Sequence, residues 1–203
     1  MPRLVWIRFR LVVLVSTAIV CSAPIVSAQT ADDFVPVTDA TLQDPDAADW
    51  LMWRRTLNGW GYSPLDQVNR TNVADLEMVW SRALYPGRQQ ATPLVYDGVL
   101  YMPNPNDVIQ AIDGVTGDLI WEHRRVVPDD TCEYLLTGMC DTNRNVAIYG
   151  NLIIDTSVDE HVFALDAQTG DMVWETKILD YKTHPATQTS GPIIANGKVI
   201  SGR

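Results

Sequence analysis

The sequence has few basic residues and few of the side chains that usually bind metals. Its 15 lysines and arginines are outnumbered by 25 aspartates and glutamates, which gives a formal net charge of −10. This charge argues against a nucleic-acid-binding protein, because such a protein needs a basic face. The 3 histidines are scattered without zinc-site spacing, and neither a P-loop nor a G-x-G-x-x-G motif occurs. The adjacent acids Asp159 and Glu160 are expected to be solvated beside a turn rather than to form a catalytic pair.

The sequence also lacks an apolar run of the length that spans a membrane. Its N-terminal apolar run, residues 11–20, follows three arginines and precedes Val26-Ser27-Ala28, which puts small or apolar residues at the −3 and −1 places of a cleavage site. This arrangement predicts a secretory signal peptide over residues 1–28. An uncleaved membrane anchor is the alternative, although the run is short for one. Cys21 follows a poor lipoprotein box, so we expect no lipid anchor.

Cysteine is scarce, and removal of the signal peptide would leave only Cys132 and Cys140. Disulfides persist in exported proteins, and these two residues lie eight positions apart, so a bridge would close a small loop. On the chain-entropy model such a loop stabilises the fold by about 2.5 kcal/mol. Two free thiols are the alternative.

The dominant feature of the sequence is a repeat. Residues 108–121, VIQAIDGVTGDLIW, and residues 162–174, VFALDAQTGDMVW, share the pattern A-x-D-x-x-T-G-x-x-x-W, and matched positions lie 53 residues apart. A fixed offset of this size indicates a repeat architecture. In each copy apolar residues flank a polar turn, where the Asp can bond turn amides and the Gly can adopt a positive φ. The closing Trp is too large for one hairpin to bury, so it requires a neighbouring sheet.

Further hairpins surround the two repeat copies. Residues 92–102 form two apolar strands around an Asp-Gly turn, and residues 145–156 do the same around a Gly-Asn turn. Each hairpin supplies the first half of a four-stranded blade that a repeat copy completes. Residues 193–200 begin a third blade, and residues 126–144 form an excursion between the first two. The predicted fold class is all-β: a partial β-propeller with two blades and the start of a third.

The segments outside the blades carry weaker signals. Residues 29–49 are acidic and are expected to form an irregular, mobile or surface-draped lead-in, and the propeller domain spans residues 50–203. Asn72 is placed to cap a helical turn at residues 73–76, and residues 77–84 read as a strand. A packed aromatic patch is expected from Trp50, Trp53 and Trp60.

Two blades and the start of a third cannot close a ring, and an open array exposes apolar faces and strand edges. We therefore expect the chain to be the N-terminal part of a longer protein. A small two-blade protein that self-assembles is the alternative.

The repeats, the leading segment YSPLDQVNRTNVADLEMVW and the hairpin ATPLVYDGVLYM together resemble the quinoprotein alcohol dehydrogenases. The resemblance covers residues 50–203. It implies an eight-bladed periplasmic propeller that uses pyrroloquinoline quinone (PQQ) and Ca²⁺ to oxidise alcohols by hydride transfer to the quinone. It also implies a periplasmic electron acceptor such as a cytochrome c.

The resemblance assigns PQQ contacts to three residues of this chain. Gln90 stands where the family has a glutamate, so it keeps an acceptor but lacks the charge; a surface amide is the alternative. Arg144 matches the family's arginine, whose fork can hold one of the three PQQ carboxylates with two bonds; a blade-edge salt bridge is the alternative. Thr189 matches a threonine that bonds a PQQ carboxylate, and a simple turn residue is the alternative.

In the family, a disulfide between adjacent cysteines covers one face of PQQ. Cys140 matches the second of these cysteines, but Met139 stands in the place of the first. A Cys132–Cys140 bridge would either cover the cofactor from a wider loop or serve only as a structural staple, and both remain open.

The family's catalytic Asp and its Ca²⁺ ligands align beyond residue 203, so no catalytic or metal-binding residue is expected in this chain. A cofactor-free propeller of the same repeat family, acting as a protein-binding scaffold in the cell envelope, is the alternative function. It predicts a lipoprotein box and has no need of Arg144. A degenerate, inactive relative is a third hypothesis, motivated by Gln90.

Overall fold

The computed structural model describes residues 34–135, 138–186 and 188–202. Within these residues the chain forms two four-stranded antiparallel sheets and one hairpin, each a meander of consecutive strands. The strands are β1 (Leu94–Tyr96), β2 (Val99–Asn104), β3 (Val108–Asp113), β4 (Leu119–Arg124), β5 (Ala147–Tyr149), β6 (Leu152–Ser157), β7 (His161–Asp166), β8 (Met172–Lys177), β9 (Ile193–Ala195) and β10 (Lys198–Ile200). The first blade is β1–β4, the second is β5–β8, and β9–β10 begin a third. The predicted partial propeller is confirmed.

The repeated Asp and Gly build the same turn in both blades. Asp113 Oδ1 accepts hydrogen bonds from the backbone N–H groups two and three residues further on, both at 2.8 Å. Asp166 Oδ1 accepts the equivalent bonds at 2.9 and 3.0 Å. Gly117 and Gly170 then adopt φ angles of 76° and 75°, which glycine reaches without steric cost. The repeated Asp and Gly of the sequence pattern therefore predict the geometry of this turn.

The tryptophan that closes the first repeat, Trp121, packs on the turn of the second blade. Trp121 of β4 lies on Gly170, where an added Cβ would come within 2.5 Å of the indole ring. Its Nε1 donates to a backbone oxygen of the same turn at 2.9 Å. Trp80 makes the same pair of contacts with the first blade, covering Gly117 and donating to a turn oxygen at 3.1 Å. The prediction that the closing Trp requires a neighbouring sheet is confirmed for Trp121.

The apolar core contains side chains of both blades, whose central strands β3 and β7 are buried over most of their length. Tyr101 spans the interface, and its hydroxyl donates to the backbone oxygen of Ala167 at 3.2 Å. Fully burying an aliphatic or aromatic side chain contributes about 1.5–3 kcal/mol. Core side chains with no more than 1% exposure include Leu94, Ile109, Ile112, Ile148, Ile153, Phe163 and Leu165.

The lead-in differs from its expected irregular, surface-draped form. It contains a short helix, α1 (Asp39–Gln43), which begins at a capping box in which Thr38 and Thr41 bond one another's backbone N–H groups at 3.2 Å. Val37 pairs with Gly150 of the second blade through two backbone bonds of 2.8 and 2.7 Å. Val37 and Leu42 are buried. These apolar side chains anchor a segment whose acidic composition alone had indicated mobility.

Three local predictions between the lead-in and the first blade are wrong. Residues 77–84 form no strand, because no described residue pairs with them in a ladder. A 3₁₀ turn does form at Val73–Asp75, but the Asn72 side chain does not cap it; it bonds the backbone of Asn69 and Gln67 instead. The tryptophans expected to form a packed patch are separate, and Trp60 is 77% exposed.

The predicted signal peptide, residues 1–28, lies outside the described residues. Within the described part of the chain, no helix has the length and apolar content needed to cross a membrane.

Candidate functional site

A cleft of about 350 Å³ opens where the first strands of successive blades begin. Its volume lies within the range of small-molecule sites. Residues directly before β1, β5 and β9 therefore meet at one place, although they are far apart in sequence. The cleft is lined by Trp53, Gln90, Thr92, Arg144, Asn145, Ser190, Gly191 and Ile193.

Arg144 is the centre of this cleft. Its Nε donates to Gln90 Oε1 at 2.9 Å, and its Nη1 contacts Thr189 Oγ1. The backbone is fixed as well, because Arg144 N–H donates to Thr189 O at 3.1 Å and Thr92 N–H donates to Arg144 O at 2.7 Å. Thus the three residues assigned from the sequence as PQQ contacts, Gln90, Arg144 and Thr189, form one hydrogen-bonded group.

The electrostatic character of this group is cationic. Arg144 is half-buried, and in the described residues no carboxylate forms an ion pair with it. Its neighbours Gln90 and Thr189 are neutral. The blade-edge salt bridge considered as the alternative is therefore not what the described residues form. A guanidinium without a counter-ion at the mouth of a cleft can bind an anionic oxygen with paired N–H groups.

The two cysteines form a disulfide with a Cα–Cα distance of 5.4 Å. Cys132 belongs to the short helix α2 (Thr131–Tyr134). Near Cys140, the side chain of Asp141 accepts a hydrogen bond from Arg88 N–H at 3.2 Å, which joins the loop to the segment before β1. Neither cysteine is among the described residues that line the cleft. The disulfide closes a loop of the excursion, and both roles considered for it, a structural staple and a cover of the cofactor, stay predictions.

A buried polar pair behind the cleft escaped the sequence reasoning. Asp155 lies in β6 with no exposed surface, and its Oδ2 accepts a hydrogen bond from Asn143 Nδ2. Burial, reinforced by the charge of nearby Asp107, raises the pKa of Asp155 well above its ordinary value, although the bonds from Asn143 and Thr156 oppose this. An acid inside the apolar strand LIIDTS was the available signal, because isolated buried carboxyl groups are costly.

A second cluster joins the two blades beside this pair and is called the ion cluster below. Arg125, directly after β4, holds Asp159 with two bonds of 2.8 and 2.9 Å. It also donates to Glu175 at 2.6 Å and lies 3.5 Å from Asp107. Asp159 and Glu160 are 2% and 0% exposed, so the prediction that they are solvated is wrong. The sequence could not show that Arg125, at the end of the first blade, binds Asp159, or that Gln188 donates to Glu160.

The carboxyl groups of the ion cluster respond differently to the same arginine. Burial raises the pKa of Asp107 to about 6, because Arg125 and Ser157 only partly offset the loss of solvent. Burial also acts on Asp159, but the hydrogen bonds from Arg125 and Ser157 outweigh it and lower the pKa of that carboxyl. Asp159, which receives the shorter bonds from Arg125, therefore has the lower pKa of the two. The described ranges contain no set of three His, Cys, Asp or Glu side chains that could hold a metal.

Comparison with known proteins shows which family has this fold and sequence. Residues 50–203 match the family model described as "PQQ: Glucose/ethanol/alcohol dehydrogenase, beta-propeller domain". The chain is 35% identical over 182 residues to the dehydrogenase subunit of the quinone alcohol dehydrogenase of Gluconacetobacter polyoxogenes, covering 85% of this chain and 24% of that protein. It is 37% identical over 146 residues to the 1-butanol dehydrogenase (cytochrome c) of Thauera butanivorans, covering 71% of this chain and 21% of that protein.

Among solved structures, the quinohemoprotein alcohol dehydrogenase ADHIIG of Pseudomonas putida superposes with a TM-score of 0.76 at 32% identity, covering 82% of this chain and 25% of that one. The chain thus spans about a quarter of the length of the relatives that it matches. Repeat, blade topology and family match agree over residues 50–203, and the chain belongs to the PQQ-type glucose, ethanol and alcohol dehydrogenase β-propeller family.

Proposed function

We propose that this chain forms part of an exported, PQQ- and calcium-dependent dehydrogenase that oxidises alcohols by hydride transfer to the quinone. The observation that carries the proposal is the half-buried Arg144, which has no carboxylate partner among the described residues and faces a cleft of about 350 Å³ between Gln90 and Thr189. A tricarboxylate such as PQQ would supply the anionic partner that this guanidinium lacks among the described residues.

The residues of the cleft fit such a ligand by their donors. Arg144 would hold a carboxylate through its guanidinium, and Thr189 would add a hydroxyl donor beside it. Gln90 has no charge, so it would leave the positive potential of Arg144 undiminished for an anion while still offering an amide N–H. Bound PQQ would supply the two-electron quinone chemistry, and the protein would bind and orient it.

The remaining parts of the reaction lie outside the described cleft. The catalytic Asp and the calcium ligands are expected from residues beyond this chain. The proposed substrate is a small-molecule alcohol, and the proposed electron acceptor is a periplasmic cytochrome c, as the name of the Thauera butanivorans relative indicates for that protein. Export rests on the predicted signal peptide, and it agrees with the disulfide between Cys132 and Cys140.

The test uses the protein expressed from its complete gene and titrated with PQQ in the presence and absence of Ca²⁺. Arg144→Ala should weaken PQQ binding by about 2–4 kcal/mol, roughly 30- to 1,000-fold, because a charge-assisted pair is lost. Arg70→Ala, at an exposed site outside the cleft, is the matched control and should leave the dissociation constant unchanged.

Alcohol-dependent dye reduction that requires both PQQ and Ca²⁺ would support the full proposal. A wild-type protein that binds no PQQ under these conditions would refute it and favour the cofactor-free scaffold. Equal PQQ affinity in wild type and Arg144→Ala would remove Arg144 from the site.

A further inference from the structure

Arg144 lines the cleft, and Thr189 contacts its guanidinium. Two consecutive residues of β6, Asp155 and Thr156, hydrogen-bond to the chain neighbours of these two residues. We propose that Asp155 and Thr156 are positioning residues: Asp155 fixes Arg144 through Asn143, and Thr156 fixes Thr189 through Ser190. This inference deepens the proposed function and rests on it. It concerns residues that do not line the cleft and would not contact the cofactor.

The first link runs from Asp155 to Arg144. Asp155 Oδ2 accepts from the Asn143 side-chain amide, and its Oδ1 accepts from Thr156 N–H at 2.7 Å. Asn143 directly precedes Arg144 and is 5% exposed, so water cannot readily replace the carboxyl oxygen if it is removed. The residue before Arg144 is therefore anchored to the second strand of its own blade.

The second link runs from Thr156 to Thr189. Thr156 Oγ1 donates to the backbone oxygen of Ser190 at 3.0 Å, and Ser190 directly follows Thr189. Thr189 in turn accepts a backbone bond from Arg144 at 3.1 Å and meets its guanidinium through the hydroxyl. The two links and this contact form a closed ring of hydrogen bonds and chain neighbours. In this ring β6 holds both Arg144 and Thr189 in place.

Fold stability alone does not explain this dipeptide. Asp155 is fully buried and Thr156 is 4% exposed, and both lie in a strand whose other buried members include the isoleucines of the core. Well-packed apolar residues at buried polar positions are often neutral or stabilising. A buried acid and hydroxyl that each end on a residue next to the cleft are better explained by the geometry they impose there.

The test compares Thr156→Val, Asp155→Leu and Asp155→Asn in the protein expressed from its complete gene. Tyr101→Phe is the matched control, because it also removes a buried hydroxyl that donates to a backbone oxygen, that of Ala167, which does not line the cleft. Two quantities are measured for each variant: the PQQ dissociation constant, and the hydrogen-exchange rate of the Arg144 amide without PQQ. Thermal midpoints report any general loss of stability.

We expect Thr156→Val and Asp155→Leu to weaken PQQ binding at least tenfold and to speed exchange of the Arg144 amide. Tyr101→Phe should lower the thermal midpoint but leave both quantities within twofold of wild type. Asp155→Asn should restore most of the affinity, because an amide keeps an acceptor and the Asn143 amide can turn to match it. In an Arg144→Ala background, Asp155→Leu should cause little further loss, since it acts through Arg144.

The outcomes separate this inference from the proposed function. If wild type and Arg144→Ala behave as proposed but Thr156→Val binds PQQ like wild type with unchanged amide exchange, the positioning role is refuted and the proposed function stands. Failure of Asp155→Leu to fold leaves Thr156→Val and Asp155→Asn to decide. If wild type binds no PQQ, the proposed function fails, and the exchange rates alone decide whether β6 holds Arg144 in place.

Discussion

Arg125→Met should lower the free energy of unfolding by about 3–5 kcal/mol at pH 7, because it breaks a buried ion pair and leaves its acids uncompensated. The arginine side chain is 7% exposed and the Asp159 side chain 3%. Methionine keeps most of the stem length, so the change removes the charge and the donors more than the volume. The cluster joins the two blades, since Arg125 follows β4 whereas Asp159 and Glu175 belong to the second blade.

The size of the loss is set chiefly by Asp159. That carboxylate receives two bonds from the guanidinium, whereas Asp107 lies 3.5 Å away and Glu175 is partly solvated. The loss should be smaller at pH 5 than at pH 7. Burial raises the pKa of Asp107 to about 6, so at pH 5 this group is already largely protonated and no longer needs the arginine.

The assay is urea unfolding at both pH values, followed by tryptophan fluorescence. Arg124→Met is the matched control, because its neighbouring guanidinium is 57% exposed and pairs with Glu122 at the surface; exposed pairs contribute little. Equal destabilisation by the two variants would refute the reasoning. A loss from Arg125→Met that does not change between pH 5 and pH 7 would show that Asp107 is not coupled to the arginine.

Three further predictions concern stability. Asp107→Asn should stabilise the protein above pH 6 by on the order of 3 kcal/mol and have no effect below about pH 4. The reason is that the folded pKa of about 6 exceeds the usual 3.8, so the charged form of Asp107 destabilises the fold. Urea midpoints measured across pH would check this, and a difference between variant and wild type that does not change with pH would contradict it. Replacing both Cys132 and Cys140 by serine should lower the free energy of unfolding by about 2.5 kcal/mol, and wild type in reducing agent should show the same loss. Gly170→Ala should lower the thermal midpoint more than Gly98→Ala, because both glycines have positive φ but only the first lies under a tryptophan ring; equal shifts would argue against that contact.

The blades were predictable because local chemistry specifies them. Asp113 and Asp166 make their turn through their own side chains, so the sequence displays the geometry without reference to the rest of the fold. Residues 77–84 have the same strand-like composition, but a strand also requires a partner, and composition does not report one. The prediction for the lead-in was wrong for the opposite reason. Val37 pairs with Gly150, more than a hundred residues away, and the composition of the lead-in does not indicate this partner.

The candidate site was predictable only through resemblance. Gln90, Arg144 and Thr189 lie in separate loops, and nothing in their local sequence brings them together. Resemblance to the family named them, and the fold places them within hydrogen-bonding distance. Asp155 and Asp159 were missed because their burial depends on packing between strands and blades, which a linear reading of charge cannot show.

Comparison of the blades with one another shows which equivalent positions carry the same residue and which carry different residues. At the turn between the third and fourth strands, equivalent positions carry the same residues, because the side chains make the turn. Three residues before the first strand of each blade, the equivalent positions are Ala91, Arg144 and Ser190; four residues before it they are Gln90, Asn143 and Thr189.

At these two positions the backbone hydrogen bonds use main-chain atoms, as between Arg144 and Thr189, and so require no particular side chain. The side chains there are therefore free to differ, and each blade contributes a different polar group to one shared cleft. Among the described residues that line the cleft, the one cation, Arg144, comes from the second blade, and the positioning role proposed for Asp155 and Thr156 concerns this residue. The repeat thus gives each blade the same backbone arrangement. A ligand site can be built at the positions where the blades carry different residues.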